Sequence, residues 1–110
     1  MEVKSSVLKD KDITLVVIDG RIDSYTYGYF ENEMITNVDI GQTKLILDFE
    51  KLSYIGSQGL KTLLYVIKKT KSKNGFLKFI NVNKEVKKIL KFSGLLPILK
   101  IYSNLEEALK

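Results

Sequence analysis

Residues 47–64 read LDFEKLSYIGSQGLKTLL, and their pattern decides the fold class. The apolar run Leu45, Ile46, Leu47 reads as a buried strand that closes on the carboxylate of Asp48. A loop from Glu50 to Gly59 follows, and Leu60, Leu63, Leu64 and Ile67 then recur at i, i+3, i+4, i+7. That spacing predicts an amphipathic helix, with Lys61, Lys68, Lys69 and Lys71 on its wet side. Strand, loop and helix in this order form the unit of an alternating α/β sheet, in which partners meet the loops beyond the carboxyl ends of strands. Ser57 stands where the loop becomes helix, between Gly56 and Gln58. One reading makes it an N-cap, because a serine oxygen there accepts a free backbone N–H of the first turn. The other makes it an exposed hydroxyl that a partner modifies. Gly56 and Gly59 leave the position sterically open, and Gly59 in the first turn costs about 1 kcal/mol of helix propensity relative to alanine. Gly56 also reads as a turn with unusual dihedrals. At this point both readings of Ser57 stand.

Outward from this stretch the same alternation continues. VKSSVLKD (3–10) and ITLVVIDG (13–20) predict two strands joined by a charged turn at 10–12. Ile13 to Ile18 is nearly all apolar and β-branched, which predicts burial on both faces. Gly20 permits a bend, and Asp23 or Ser24 is placed to cap a helix over Tyr25–Asp39 whose stripe is Phe30, Met34 and Val38. Gly41 closes that helix, and Asn74–Gly75 closes the next. FLKFINV (76–82) predicts a strand. Asn83 then caps a helix with Val86, Ile89 and Leu90 on one face, which stops at Gly94. LKIY (99–102) predicts a short strand, and SNLEEALK (103–110) a small helix with Leu105, Ala108 and Leu109 aligned. The class is α/β: one domain over residues 1–110 with an opening β-hairpin, a mixed, mainly parallel sheet of four to five strands and about four helices.

Composition narrows the function. The chain has 110 residues, 45% of them apolar and 28% charged, a balance that supports one globular core. Cysteine and histidine are both absent. Their absence removes disulfides, thiolate chemistry and any hydrolase built on a Ser–His pair. No stretch approaches the roughly 18 apolar residues of a membrane span, and MEVKSSVLKD lacks the apolar region of a secretory signal. The expectation is a cytoplasmic protein without a membrane partner. No cofactor is expected. Asp23, Asp48 and Glu50 could gather to hold Mg²⁺. Without a phosphate-cradling glycine loop, however, Asp48 reads more simply as an anchor for the loop after its strand, and the protein as no enzyme.

Charge is unevenly spread. Residues 1–60 carry six basic against ten acidic side chains, a net of −4, whereas residues 61–100 carry eleven lysines against Glu85, a net of +10. The lysine-rich segment 68–91 reads as a solvated face; its functional readings are docking to an acidic protein or to nucleic acid. No motif of the common nucleic-acid modules is present. Tyr25, Tyr27 and Tyr29 cannot all share one helical face, so some are expected at the surface, either half-packed or as a partner patch.

LILDFEKLSYIGSQGLKTLL (45–64) resembles the signature of the STAS domain, the fold of bacterial anti-sigma factor antagonists. IDGRID (18–23) is similar to that family's other signature, and LKFSGLLPILKIYSNLEEALK (90–110) to its ending. The resemblance implies that Ser57 is phosphorylated by a partner that is both a serine kinase and an anti-sigma factor. It also implies that the unmodified form binds this partner and frees a sigma factor, and that a serine phosphatase restores the bound state. Asp23 matches an acidic residue near the serine, and Asp23, Ser24, Tyr25, Gly56, Gln58, Gly59 and Lys61 are expected to shape the contact surface. Gly56 stands where many members have aspartate, Gln58 where Ser, Thr or Ala is usual, and Lys61 where a small residue is common. Some members are scaffold or sensor components of other signalling complexes, which is the alternative role within the family.

Overall fold

The structure, a computed structural model, describes residues 1–8 and 11–110. In chain order the elements are β1 (Glu2–Val7), β2 (Thr14–Ile22), α1 (Tyr27–Asp39), β3 (Lys44–Asp48) and β4 (Leu52–Ile55). Then come α2 (Ser57–Ser72), β5 (Phe76–Ile80), α3 (Lys84–Phe92), a 3₁₀ turn (Leu96–Ile98), β6 (Lys100–Tyr102) and α4 (Leu105–Ala108). β1 and β2 pair antiparallel, as expected of an opening hairpin. The charged turn assigned to 10–12 begins at Asp10, which lies outside the described residues. The remaining ladders are parallel, and the sheet runs β1-β2-β3-β5-β6.

Among the described residues the sheet has six strands, where four to five were expected. The addition is β4, inside the segment expected to be loop. It escapes a periodicity reading because it is four residues long. Leu52 and Ile55 are buried while Ser53 and Tyr54 face out. What stabilises it is β2, whose nine residues serve two partners. Thr14–Val17 pair with β3, and after a register shift at Gly20/Arg21 the residues Gly20–Ile22 pair with β4. Gly20 sits at that shift with φ +119°, a conformation that side chains resist, so the predicted bend is the place where β2 changes partner.

α1, α2 and α3 cover one face of the sheet. Phe30, Met34 and Val38 from α1 meet Val16, Ile18, Leu45, Leu47 and Phe79, with Leu63 and Val66 from α2 and Val86 and Leu90 from α3. The other face is closed by α4, whose Ala108 packs on Ile46 and Ile80. Because α4 is four residues long, it cannot cover all of that face. Burial of 13–18 is therefore alternate rather than two-sided: Thr14, Val16 and Ile18 are buried, whereas Ile13, Leu15 and Val17 are half-buried. The buried face of α2 is also rotated from the leucine stripe. Gly59, Thr62, Leu63, Val66 and Thr70 are buried, and Leu60, Leu64 and Ile67 only partly so. Small residues and self-satisfied threonines let the helix approach closely; the Thr70 hydroxyl, for example, donates to the Val66 carbonyl at 2.8 Å. The helix stops fall where expected, with Asn74 at φ +61°, Gly41 at +94° and Gly94 at +82°.

Candidate functional site

The site arises from the parallel register of β2 and β4. Arg21 pairs with Tyr54 and Ile22 with Ile55, so the two chain segments leave the sheet side by side. The Gly56 N–H donates to the Ile22 carbonyl at 2.8 Å, which carries the pairing one residue further. Asp23 follows β2 and Ser57 follows β4. Residues 34 positions apart thereby line one open depression of about 360 Å³, together with Ser24, Tyr25, Gly56 and Gln58. Arg21 and Tyr54, which sequence reasoning did not single out, complete its wall. Their signal was faint: Tyr54 belongs to the strand that the loop reading hid.

Ser57 is the first residue of α2, and its side chain is exposed. It is not the cap. Gly56 holds the N-cap position, and no side chain caps the helix. Among the described residues the Ser57 hydroxyl donates only to its neighbour, Gln58 Oε1, at 3.3 Å. Gly56 itself has φ −92° and ψ −175°, extended backbone open to any residue, so the expectation of unusual dihedrals is not met. A Cβ there would lie 3.4 Å from the Tyr54 ring, an ordinary van der Waals contact, so the position has room for a side chain.

Asp23 and Ser24 do not cap α1. The N-cap position is Thr26, and the helix begins at Tyr27. Asp23 builds the turn before it: Oδ1 accepts the backbone N–H groups of Tyr25 at 2.9 Å and Thr26 at 3.1 Å. The Tyr25 N–H bond is the main reason the Asp23 carboxyl lies below the usual aspartate range; it outweighs partial desolvation, and the Thr26 bonds and Arg21 add to it. Asp23 is therefore an anion at neutral pH. Arg21 Nε stands 3.6 Å from Asp23 Oδ2. Among the three tyrosines, Tyr27 packs on the core, while Tyr25 and Tyr29 are exposed. Tyr25, at 91% exposure, stands free at the edge of the depression.

Two expected contact residues lie elsewhere. Gly59 is buried. A Cβ there would come within 2.7 Å of both Ile22 Cγ2 and Ile55 Cγ1, so the glycine is required by packing beneath the site, not by a partner above it. Lys61 is exposed but lines a neighbouring cleft with Glu31, Ile35, Thr62 and Tyr65. The three carboxylates weighed for Mg²⁺ are not brought together: Asp23 lines the Ser57 depression, and Glu50 a different one with Asn83 and Glu85. Asp48 anchors its loop as expected, accepting the Glu50 N–H at 3.0 Å and Asn81 Nδ2 at 3.3 Å. Among the described residues no helix is long and apolar enough to cross a membrane.

A mixed sheet with three helices on one face and an exposed serine opening the second of them defines the class. Residues 4–108 match the STAS domain model, and the chain belongs to that family. It is 27% identical over 106 residues to BtrV of Bordetella bronchiseptica, covering 96% of this chain and 91% of that protein. It is 26% identical over 110 residues to the anti-sigma F factor antagonist of Paenibacillus polymyxa, covering 99% and 94%. Among solved structures, the anti-sigma factor antagonist SpoIIAA in its unphosphorylated form superposes with a TM-score of 0.80 at 23% identity, covering 98% of this chain and 93% of that one. The phosphorylated form of the Bacillus cell fate determinant SpoIIAA gives 0.72 at 22%, covering 98% and 96%.

Proposed function

We propose that the protein is an anti-sigma factor antagonist whose docking is switched by phosphorylation of Ser57. Its partners on this reading are an anti-sigma factor that is also a serine kinase, and a serine phosphatase. The unmodified domain binds the former and frees a sigma factor. The kinase moves the terminal phosphoryl group of a nucleoside triphosphate to Ser57 Oγ, the hydroxyl proton is lost, and the nucleoside diphosphate leaves. The observation that carries this is the state of the Ser57 hydroxyl: exposed, at the first helical position, and not used to cap the helix. The names of the Paenibacillus relative and of SpoIIAA point the same way.

The physics favours a switch that leaves the fold intact. A phosphate brings about −1.5 to −2 charges at neutral pH. α2 has no acidic side chain in its first turn, and its uncapped N–H groups and dipole favour an anion. The cost falls on the partner, which would have to desolvate the new group beside anionic Asp23. Ser24, Tyr25, Gly56 and Gln58 surround the same depression and form the contact surface on this reading.

Intact-protein mass spectrometry after incubation with the cognate kinase should give one added phosphate, absent in Ser57→Ala. A full phosphate signal in that variant ends the proposal. In pull-downs, wild type and Ser57→Ala should retain the anti-sigma factor and Ser57→Asp should lose it. Equal retention by all three shows that Ser57 is not the switch.

A further inference from the structure

Arg21 is the only arginine in the chain; the other 17 basic residues are lysines. It stands on the strand that borders Ser57, opposite Tyr54 in the β2–β4 ladder. Its guanidinium carbon lies 4.6 Å from the Tyr54 ring centroid, a stacking that fixes the guanidinium while 58% of the side chain stays exposed. Its ion pair with Asp23, 3.6 Å from Nε to Oδ2, is too long for a hydrogen bond. Among the described residues the guanidinium donates no hydrogen bond. Asp23, by contrast, is already held through Oδ1 by two backbone N–H groups. A planar fork of five donors thus faces a depression that it shares with the exposed Ser57 hydroxyl and with those of Ser24, Tyr25 and Tyr54.

We infer that Arg21 is the internal receptor for a phosphate on Ser57, leaving Asp23 Oδ2 to take two phosphate oxygens through paired N–H donors. The inference rests on the proposed modification of Ser57. A dianion with three acceptor oxygens offers what the single long contact to Asp23 does not, and a guanidinium engages it bidentately where a lysine would act only as a point charge. Capture would draw the phosphate toward the Tyr54 ring and leave the Asp23 carboxylate without its cation. Modification would then change the docking face at two places, which sharpens the distinction a partner can make.

The test installs phosphoserine at position 57 during translation, so no kinase is needed, and follows the second phosphate ionisation by ³¹P NMR. An unperturbed phosphoserine titrates near about 6. The charged or titratable groups on the depression are Arg21, Asp23, Tyr25 and Tyr54. Arg21 lowers the value and Asp23 raises it. Arg21→Ala should therefore titrate about half a unit above the wild-type background, with Arg21→Lys recovering part of the difference and Asp23→Asn falling below wild type. In the unsubstituted domain the Arg21 Nε–H resonance should move with the same midpoint. An unchanged phosphate midpoint in Arg21→Ala, or an Nε–H signal indifferent to phosphate ionisation, overturns the role of Arg21. Failure of the cognate kinase to modify Ser57 would sink the switch instead, and leaves this titration to decide Arg21 separately.

Discussion

Two glycines in first helical turns should respond to the same substitution in opposite directions. Gly59→Ala in α2 places a Cβ 2.7 Å from Ile22 Cγ2, 2.7 Å from Ile55 Cγ1 and 3.1 Å from Ile55 Cδ1. Two of these three are branch carbons next to the backbone of adjacent paired strands, so neither side chain can swing away freely. Overpacking of this kind costs about 1–3 kcal/mol, and two simultaneous clashes put it near the upper end. Alanine returns at most about 1 kcal/mol of helix propensity. The net is a loss of about 2 kcal/mol, or roughly 10 °C in Tm for a domain of this size. Gly28→Ala in α1 meets nothing within 4 Å among the described residues, so only the propensity gain remains, up to about 1 kcal/mol of added stability. Urea unfolding followed by far-UV circular dichroism reads both, with thermal melts as a second measure. In a double-mutant cycle, Ile22→Ala should cost about 1 kcal/mol less in the Gly59→Ala background than alone, because it removes one of the clashing methyls. If Gly59→Ala is as stable as wild type, or moves in the same direction as Gly28→Ala, the packing argument beneath Ser57 is wrong.

Asn83→Ala should cost about 2–3 kcal/mol in urea unfolding, more than a cap alone. The side chain accepts the Val86 N–H at 2.9 Å and also donates to the Leu52 carbonyl at 2.6 Å, so its loss frees α3 and the start of β4 together. Lys88→Glu should stabilise the domain by only about 0.5 kcal/mol at low salt and by less in 1 M NaCl: its repulsions with Lys84 and Lys91, four and three residues away on α3, become attractions, while its attraction to Glu85, three residues before it, becomes a repulsion. Asp23 should contribute a pH-dependent term with a definite sign. Its folded pKa is depressed, so the stabilisation is present above its unfolded value and is lost as pH falls through the folded one. The stability gap between wild type and Asp23→Asn should therefore open above about pH 4 and close in stronger acid, as read by urea midpoints across that range.

Most of the scaffold was legible because its signals are local. The α1 stripe of Phe30, Met34 and Val38, the buried Leu45–Leu47 run and the caps at Asn83 and Gly94 each depend on neighbours within a turn or a strand. β4 was not legible, because a four-residue strand has too few alternations and forms only where β2 offers a second edge. The face of α2 was misjudged for a related reason. Leucines dominate a hydrophobicity reading, while Gly59, Thr62 and Thr70 are buried through shape and self-satisfied hydrogen bonds. Ser57, Asp23, Ser24, Tyr25, Gly56 and Gln58 were singled out and share one depression, but Arg21 and Tyr54 depend on register, which no single segment specifies.

Helix starts within this one chain differ, and α2 contrasts with α3 and α4. α3 and α4 begin with asparagine caps, Asn83 accepting the Val86 N–H and Asn104 the Glu107 N–H, each at 2.9 Å. α1 is entered through the Asp23 turn, whose carboxylate takes two N–H groups ahead of the helix. α2 is the longest helix at 16 residues, and it opens on Gly56 with no capping side chain at all. An Asp or Asn at position 56 would supply a cap worth about 1 kcal/mol. The chain forgoes that stabilisation where its N–H donors border the exposed serine, whereas α3 and α4 carry the cap. Gly56→Asp should accordingly stabilise the unmodified domain while adding a fixed charge beside Ser57. If docking rather than stability sets residue 56, the same substitution that raises the urea midpoint should weaken capture of the anti-sigma factor. A variant gaining on both counts would show that the bare helix start has no bearing on binding.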